Sequence, residues 1–344
     1  MGLLNRAEKQ DGKYLNPVPT SVGGLKLILR VLPLLIANRE ERVPRTALGP
    51  FRTHASVYSQ LPASGLRVTW FGHSSMLIEI DGVRILVDPV WDQRASPIGW
   101  AGPKRFFAPT LRLEELPPLD AVLISHDHYD HLGAETVGAI AKLQPEAQWV
   151  TALEVGSILT QLGVAADRIT ELDWTGSARI TALDGAECDV VSLPARHFSG
   201  RSATRRFNTL WASFVLRGNR NTVYYGADSG SWDGFAEIGA AYGPFDLTML
   251  EIGAFNTLWE QIHLGPDNAV QAYQQLGAFG RAGLLMPIHW GLFNLALHAW
   301  SQPIERLTEL ADTDTVRLWS PEPGLPSEVV RGQELRSDWW KQRS

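Results

Sequence analysis

The six-residue segment HDHYDH at residues 126–131 constrains the fold and chemistry of this chain more than any other feature. It directly follows AVLIS (121–125), a short apolar run typical of a strand covered on both faces. In an extended loop, side chains two residues apart face the same way, so the first two histidines can hold one ion. The aspartate and the last histidine can then reach a second ion. Four ionisable groups this close would be costly to desolvate without a compensating cation, so the segment predicts a metal site.

Three further candidate ligands each stand just past a predicted strand. They are His197 after VVSLPAR, Asp228 after VYYGA and His289 after LLMPI. Loops at the carboxyl ends of strands converge in layered α/β folds, so these side chains can meet. Imidazole and carboxylate ligands indicate two divalent ions, with Zn²⁺ expected and Mn²⁺ or Fe²⁺ as alternatives. We expect His126, His128 and His197 on one ion, Asp130, His131 and His289 on the other, and Asp228 between them.

The order of predicted elements indicates a mixed α/β domain. Residues 1–64 are expected to be an extension packed on or near the core, 65–320 the main domain, and 321–344 a mostly irregular tail. Predicted strands and helices alternate through the main domain. The predicted strands cover 66–71, 76–80, 83–87, 121–125, 190–193, 222–226 and 283–287, and the predicted helices cover 134–143, 266–276 and 303–311.

Composition excludes several classes of protein. The net charge of −6 and the pI near 5.9 argue against a nucleic-acid partner. Cys188 is the single cysteine, which excludes an intramolecular disulfide and favours a reducing compartment, so we expect a cytoplasmic protein. The apolar stretch 25–37 is too short to span a bilayer, and two interpretations stay open for it: a helix packed on the domain, or a peripheral membrane contact.

These motifs resemble the metallo-β-lactamase superfamily, whose signature is HxHxDH followed by a histidine, an aspartate and a histidine. Longer segments resemble its branch of N-acyl-phosphatidylethanolamine-hydrolysing phospholipase D and bacterial relatives. These segments are RASPIGWAGPKRF (94–106), ELPPLDAVLISHDHYDHL (115–132), ITELDW (169–174), YGPFDL (242–247) and PIHWG (287–291). The resemblance covers about residues 66–299 and implies a four-layer αβ/βα sandwich. Asp127 departs from an asparagine of the branch, and residues 197–211 differ in sequence.

The resemblance also implies roles for residues outside the main ligand set. Asp88 would orient ligands, with a turn or helix-cap role as the alternative. His263 would bind phosphate or protonate the leaving group beside the catalytic ligand Asp130, unless it is an exposed loop residue. His73 would line the site or be a buried, hydrogen-bonded histidine. Apart from the resemblance, the density of arginines in the loop after His197 has two interpretations, binding of an anionic substrate or solvated surface. These arginines are Arg201, Arg205 and Arg206.

Three functions remain open from the sequence. The leading hypothesis is a binuclear hydrolase that cleaves a phosphodiester of a phospholipid or related lipid, because paired ions activate water and neutralise developing charge. The first alternative is hydrolysis of a lactone or carboxylic ester by the same ions. The second is a non-catalytic lipid-binding module. The chain has no GxSxG or P-loop motif, which argues against serine hydrolases and P-loop enzymes, and the resemblance suggests a homodimer.

Overall fold

The computed structural model describes residues 2–23, 30–31, 33–34, 40–202, 204–277, 283–313 and 316–341. Most of the apolar stretch 25–37, for which a packed helix and a peripheral membrane contact were both expected from the sequence, lies outside these residues. Among the described residues, no helix has the length and apolar character that crossing a membrane requires.

Short strands alternate with α-helices and 3₁₀ helices along the chain. The strands are β1 Lys9–Gln10, β2 Lys13–Tyr14, β3 Leu66–Gly72, β4 Ser75–Ile80, β5 Val83–Val87, β6 Ala121–Ile124, β7 Gln148–Ala152, β8 Ile169–Leu172, β9 Ser177–Thr181, β10 Glu187–Leu193, β11 Ser213–Arg217, β12 Thr222–Tyr225, β13 Leu247–Glu251, β14 Leu284–Ile288, β15 Trp319–Ser320, β16 Ser327–Glu328 and β17 Leu335–Arg336. The α-helices are α1 Ala134–Leu143, α2 Gly156–Gln161, α3 Gly234–Tyr242, α4 Gly265–Gln275 and α5 Gln302–Thr313. Short 3₁₀ helices cover Ala55–Ser59, Leu113–Glu115, Ala166–Arg168 and Trp339–Lys341.

Two large mixed sheets form the centre of the fold. One has the strand order β16-β3-β4-β5-β6-β7-β8, and the other has the order β14-β13-β12-β11-β10-β9. Strands β5 to β8 are parallel to one another, as are β12 to β14, while the remaining neighbours in these sheets are antiparallel. Parallel strands end at the same edge of a sheet, so the loops that follow them start close together.

Strand β6 shows why the fold is layered. Its alternate residues Ala121 and Leu123 face a core shared with the second sheet, whereas Val122 and Ile124 face a smaller core that contains Val137 of α1. The period of two directs these side chains to opposite faces, and both faces are buried. Helices α3, α4 and α5 pack on the far side of the second sheet. The result is the predicted four-layer αβ/βα sandwich.

Both terminal regions pack on this sandwich. Tyr14 and Phe51 from the amino-terminal region are buried in the main core. The tail after Ser320 contributes β16, which pairs with β3, and a buried Trp339. The chain beyond the predicted domain boundary therefore takes part in the first sheet and in the core.

Candidate metal centre

The candidate ligands lie at the carboxyl ends of strands from both sheets. The HDHYDH segment follows β6, and the loops after β10, β12 and β14 carry the three distant candidates. All seven predicted ligands fall into two groups whose ligand atoms lie within 4.8 Å of one another. The first group is His126, His128, His197 and Asp228, and the second is His73, Asp130, His131 and His289.

In the first group, three imidazoles surround one carboxylate. His128 Nδ1 lies 2.9 Å from His126 Nε2 and 3.3 Å from His197 Nε2. Asp228 Oδ2 lies 3.8 Å from His126 Nε2 and 3.5 Å from His197 Nε2. Because these lone-pair atoms converge on one another, they form a set of donors of the kind that binds a divalent ion.

In the second group, Asp130 is the central residue. Its Oδ2 lies 2.9 Å from His73 Nε2, 3.3 Å from His289 Nε2 and 3.7 Å from His131 Nε2. Asp228 reaches this group as well, with Oδ1 3.2 Å from His131 Nε2 and Oδ2 3.1 Å from His289 Nε2. Asp228 therefore lies between the two groups, in the position expected for a residue that bridges two ions.

Unpartnered polar atoms test whether these residues fit metal ions. His131 Nε2, His289 Nε2 and Asp228 Oδ1 are buried and have no hydrogen-bond partner within the described part of the chain. Buried polar groups are rarely left unsatisfied, and a bound cation would supply the missing interaction. Nitrogen and carboxylate donors suit zinc, manganese and iron, so the residues present fit two divalent ions.

Cys188 has no part in this centre. It lies fully buried on β10, and burial raises the pKa of its thiol to about 12. Only about one molecule in 10,000 would carry the reactive thiolate at pH 8. We therefore expect no reaction with Ellman's reagent in the native chain and one thiol per chain in guanidinium chloride. Rapid labelling of the native chain would contradict this burial.

The buried carboxylates and imidazoles of the centre shift one another's pKa values. Burial opposes ionisation of Asp130 and Asp228, but the surrounding imidazoles outweigh it and hold the pKa of both carboxyls well below its usual range. Burial likewise opposes protonation of His289, yet Asp228 and Asp130 raise its pKa to about 10. The same carboxylates raise the pKa of His131 well above its ordinary value. Paired cations at this position would satisfy both carboxylates.

Asp88 lies behind the second ligand group and contacts His131, one of its members. Its Oδ2 lies 2.7 Å from His131 Nδ1, on the side of the ring opposite the ligand nitrogen. Ser125 N donates to Oδ1 at 2.7 Å, and Tyr225 Oη donates to Oδ2 at 2.5 Å. A carboxylate that accepts from Nδ1 fixes the tautomer and leaves Nε2 free to bind a metal.

Glu251 is a residue of the site that the sequence interpretation missed. It ends β13, is fully buried, and its Oε2 lies 2.7 Å from His263 Nδ1 and 3.7 Å from His289 Nδ1. Its Oε1 accepts a 2.6 Å hydrogen bond from Ser229 N, beside Asp228. The signal in the sequence was a single acidic residue at the end of the apolar run LTML, which reads as an ordinary strand terminus.

Strained backbone concentrates at the same edge. His73, Asp88, Ala227 and His289 have φ angles of 55°, 39°, 48° and 60°, in the left-handed region that side chains with a Cβ rarely adopt. Each is a ligand-group residue, a supporting residue or the neighbour of one. Strain of this kind persists only where the surrounding structure enforces it, which is typical of functional sites.

The structure does not place the predicted substrate arginines among the ligand groups. Arg201 Nη1 donates to the carbonyl oxygens of Asp127 and Leu132 at 2.8 and 2.9 Å, and its guanidinium lies 3.8 Å from the centre of the Tyr129 ring. These contacts span the HDHYDH segment and hold it in place. Arg205 lines a cleft of about 570 Å³ beside this segment, and Arg206 lies over the Phe198 ring.

Comparisons of the sequence with known proteins indicate the family of this chain. The sequence profile described as Beta-lactamase superfamily domain matches residues 83–290. An uncharacterized protein of Mycobacterium tuberculosis is 47% identical over 96% of this chain and 87% of its own length. The N-acyl-phosphatidylethanolamine-hydrolyzing phospholipase D 1 of Caenorhabditis elegans is 36% identical over 72% of this chain and 70% of its own length.

A solved structure supports the fold independently. The isothiocyanate hydrolase from Delia radicum gut bacteria superposes with a TM-score of 0.59 over 76% of this chain and 99% of that protein, at 18% sequence identity. Identity this low establishes a shared fold and nothing about the substrate. The profile match over more than half of the chain and the 36% identity to the C. elegans protein show that this protein belongs to the metallo-β-lactamase superfamily, as a metal-dependent hydrolase.

Proposed function

We propose that this chain hydrolyses the phosphodiester bond of a phospholipid, as a phospholipase D does, with two zinc ions held by the seven predicted ligands. The observation that carries the substrate class is the 36% identity to the C. elegans phospholipase over most of both chains. The observation that carries the reaction class is the pair of ligand groups joined by Asp228.

The bound ions would supply two things: a lowered pKa for an attacking water and positive charge against the phosphate oxygens. The side chains hold the two ligand groups together and fix the position of each ligand. Asp228 holds both groups together, and Asp130 is fixed by its 2.9 Å contact with His73 Nε2. Burial, together with the nearby His289, lowers the pKa of His73 to about 3, so that this ring is neutral at physiological pH. A neutral ring adds no charge that would compete with the cations.

His263 is the side chain best placed to meet the substrate beside the ions. Its ring centre lies 5.1 Å from that of His197 and 5.3 Å from that of His289, and its side chain is 14% exposed. Glu251 occupies Nδ1, so the exposed Nε2 edge faces away from the buried carboxylate. Such an oriented imidazole can donate a hydrogen bond to a phosphate oxygen or to the leaving alcohol.

The experiment that tests the proposal is hydrolysis of N-acyl-phosphatidylethanolamine in water enriched in ¹⁸O, with mass spectrometry of the products. Attack at phosphorus forms the new P–O bond, breaks the bond to the alcohol, and puts ¹⁸O in the phosphatidic acid. Attack at a carboxylic ester puts the label in a fatty acid. Bis(p-nitrophenyl) phosphate and an acyl-homoserine lactone serve as comparison substrates. Turnover confined to the lactone, or label confined to fatty acid, would refute the proposal.

Glu251→Gln provides a separate prediction about the residue that the sequence interpretation missed. Glutamine keeps the shape but loses the charge that orients His263 and lies near His289. We expect metal affinity or kcat to fall by about 10- to 100-fold, as is typical when a residue that orients metal ligands is changed. The measurements are metal titration and steady-state kinetics.

Glu146→Gln is the matched control, because the Glu146 side chain is 83% exposed and pairs only with Arg168 among the described residues. It should leave both quantities unchanged. Unaltered metal affinity and kcat in Glu251→Gln would show that the carboxylate charge has no role in the centre.

A further inference from the structure

The hairpin formed by residues 94–104, between β5 and β6, carries an exposed tryptophan. Arg94 and Lys104 form an antiparallel bridge at its base, and Ala95 N donates to Pro103 O at 3.0 Å. At its tip, Trp100 is 81% exposed and Ile98 is 42% exposed. Exposed large apolar side chains are common singly, but two at the tip of one turn form a surface that water solvates poorly.

The backbone of the tip is largely satisfied internally. Ala101 N donates to Ile98 O at 3.3 Å, Ile98 N to Ser96 Oγ at 3.2 Å, and Arg94 Nη1 to Gly102 O at 2.5 Å. Gly102 has a φ of +97°, and a Cβ there would lie 2.6 Å from the Ser96 side chain, so this tight turn requires glycine. A turn with satisfied polar groups can leave water at low cost.

The base of the hairpin is tied to the metal centre. Phe106 N donates to Leu292 O at 2.9 Å, and the Phe106 ring packs edge-on to Trp300 at 6.2 Å. Leu292 is three residues after the candidate ligand His289. The hairpin is therefore hydrogen-bonded to the loop after β14, which begins at the candidate ligand His289.

The positive charges of Arg94 and Lys104 favour a lipid surface over an apolar protein groove as the partner of this hairpin. Within the described residues, neither Arg94 nor Lys104 forms a salt bridge, and the carboxylate of Asp92 accepts a hydrogen bond from Thr136 N at the start of α1 instead. A tryptophan at a tip with cations one level behind it matches the depth profile of a lipid interface, where indole rings lie at the headgroups and cations meet phosphates. An apolar protein groove would not require these cations.

We propose that this hairpin docks the chain on an anionic lipid surface, with Ile98 and Trp100 entering the interface and Arg94 and Lys104 against the headgroup phosphates. Docking here is independent of the proposed hydrolysis, because it uses no residue of the metal centre. It would nevertheless present a phospholipid to that centre, since both share the loop after His289.

Sedimentation with vesicles tests the inference without any turnover. The full chain is mixed with vesicles of phosphatidylcholine containing 30% phosphatidylglycerol, and in parallel with phosphatidylcholine alone. We expect preferential binding to the anionic vesicles, about tenfold weaker binding for Trp100→Ser, and about fivefold weaker binding for Lys104→Gln. Leu183→Ser is the matched control, because Leu183 is fully exposed on the β9–β10 turn.

Three results would overturn the inference. They are unchanged vesicle binding in Trp100→Ser, an equal loss in Leu183→Ser, or a change in sedimentation mass of Trp100→Ser without vesicles, which would make the tip a contact between copies of the chain. Thermal melting should be the same for all variants, because both substituted apolar side chains are exposed. Binding without hydrolysis would support the docking surface and refute only the proposed activity.

Discussion

Replacing Asp228 by asparagine is expected to reduce the rate of hydrolysis by about 1000-fold and to lower the bound metal from two ions per chain to one or none. Asparagine preserves the volume of the side chain but offers one neutral oxygen in place of two anionic ones. Since Asp228 contacts imidazoles of both ligand groups, its charge serves both ions at once.

The measurement pairs metal analysis of the purified chain with kinetics on a soluble phosphodiester. Asp167→Asn is the matched control, because Asp167 is an exposed aspartate on a 3₁₀ helix distant in sequence from every ligand. Circular dichroism of both variants separates metal loss from unfolding. Two tightly bound ions and an undiminished rate in Asp228→Asn would remove the bridging role and with it the binuclear mechanism.

The sequence indicated the candidate ligands more completely than it indicated the strands that carry them. The HDHYDH spacing and the position of His197, Asp228 and His289 after apolar strands carry chemical information in each residue, and the structure brings all of them together. This was possible because the ligands lie in loops that follow β6 of the first sheet and β10, β12 and β14 of the second. The candidate ligands could be identified because each follows an apolar run that the sequence pattern marks as a strand.

Several strands were not predicted, for reasons visible in their burial. Strands β8 and β9 lie at sheet edges and each exposes polar residues, which are consecutive in β8 and alternate in β9, so their sequences ITEL and SARIT lack a continuous apolar run. The parallel strand β13, LTMLE, ends in a charged residue that is buried only because His263 and Ser229 N partner it. Partners twelve or more residues away cannot be read from local pattern, so Glu251 was missed.

The partners of Arg201 could not be read from the local sequence either. The density of arginines after His197 left two interpretations open, a surface for an anionic substrate or solvated side chains. In the structure, the Arg201 guanidinium donates to the carbonyl oxygens of Asp127, within the HDHYDH segment, and of Leu132, directly after it. A cation in a sequence does not reveal whether its partner is a ligand or the backbone of its own chain.

The tail also contributes packing that the sequence pattern did not indicate, through the buried side chain of Trp339. Trp339 is 1% exposed, and its ring lies 5.1 Å from Trp290, 5.4 Å from Phe51 and 5.9 Å from Trp70. A Cβ at Gly291 would lie 3.0 Å from this ring, so the packing is tight. A ring from the last helical turn thus joins the amino-terminal region, the first sheet and the residue next to His289.

Trp339→Ala is therefore expected to lower the free energy of unfolding by about 3–5 kcal/mol, the usual cost of emptying a buried aromatic site. Trp339→Phe should cost far less, because it refills most of the volume and removes an indole N–H that has no hydrogen-bond partner among the described residues. Guanidinium denaturation measures both, with the exposed Trp100→Ala as the control. A loss below about 1 kcal/mol in Trp339→Ala would mean that the tail lies on the core without stabilising it. Because Trp290 adjoins His289, the alanine variant should also release metal at a lower chelator concentration, whereas the phenylalanine variant should retain it.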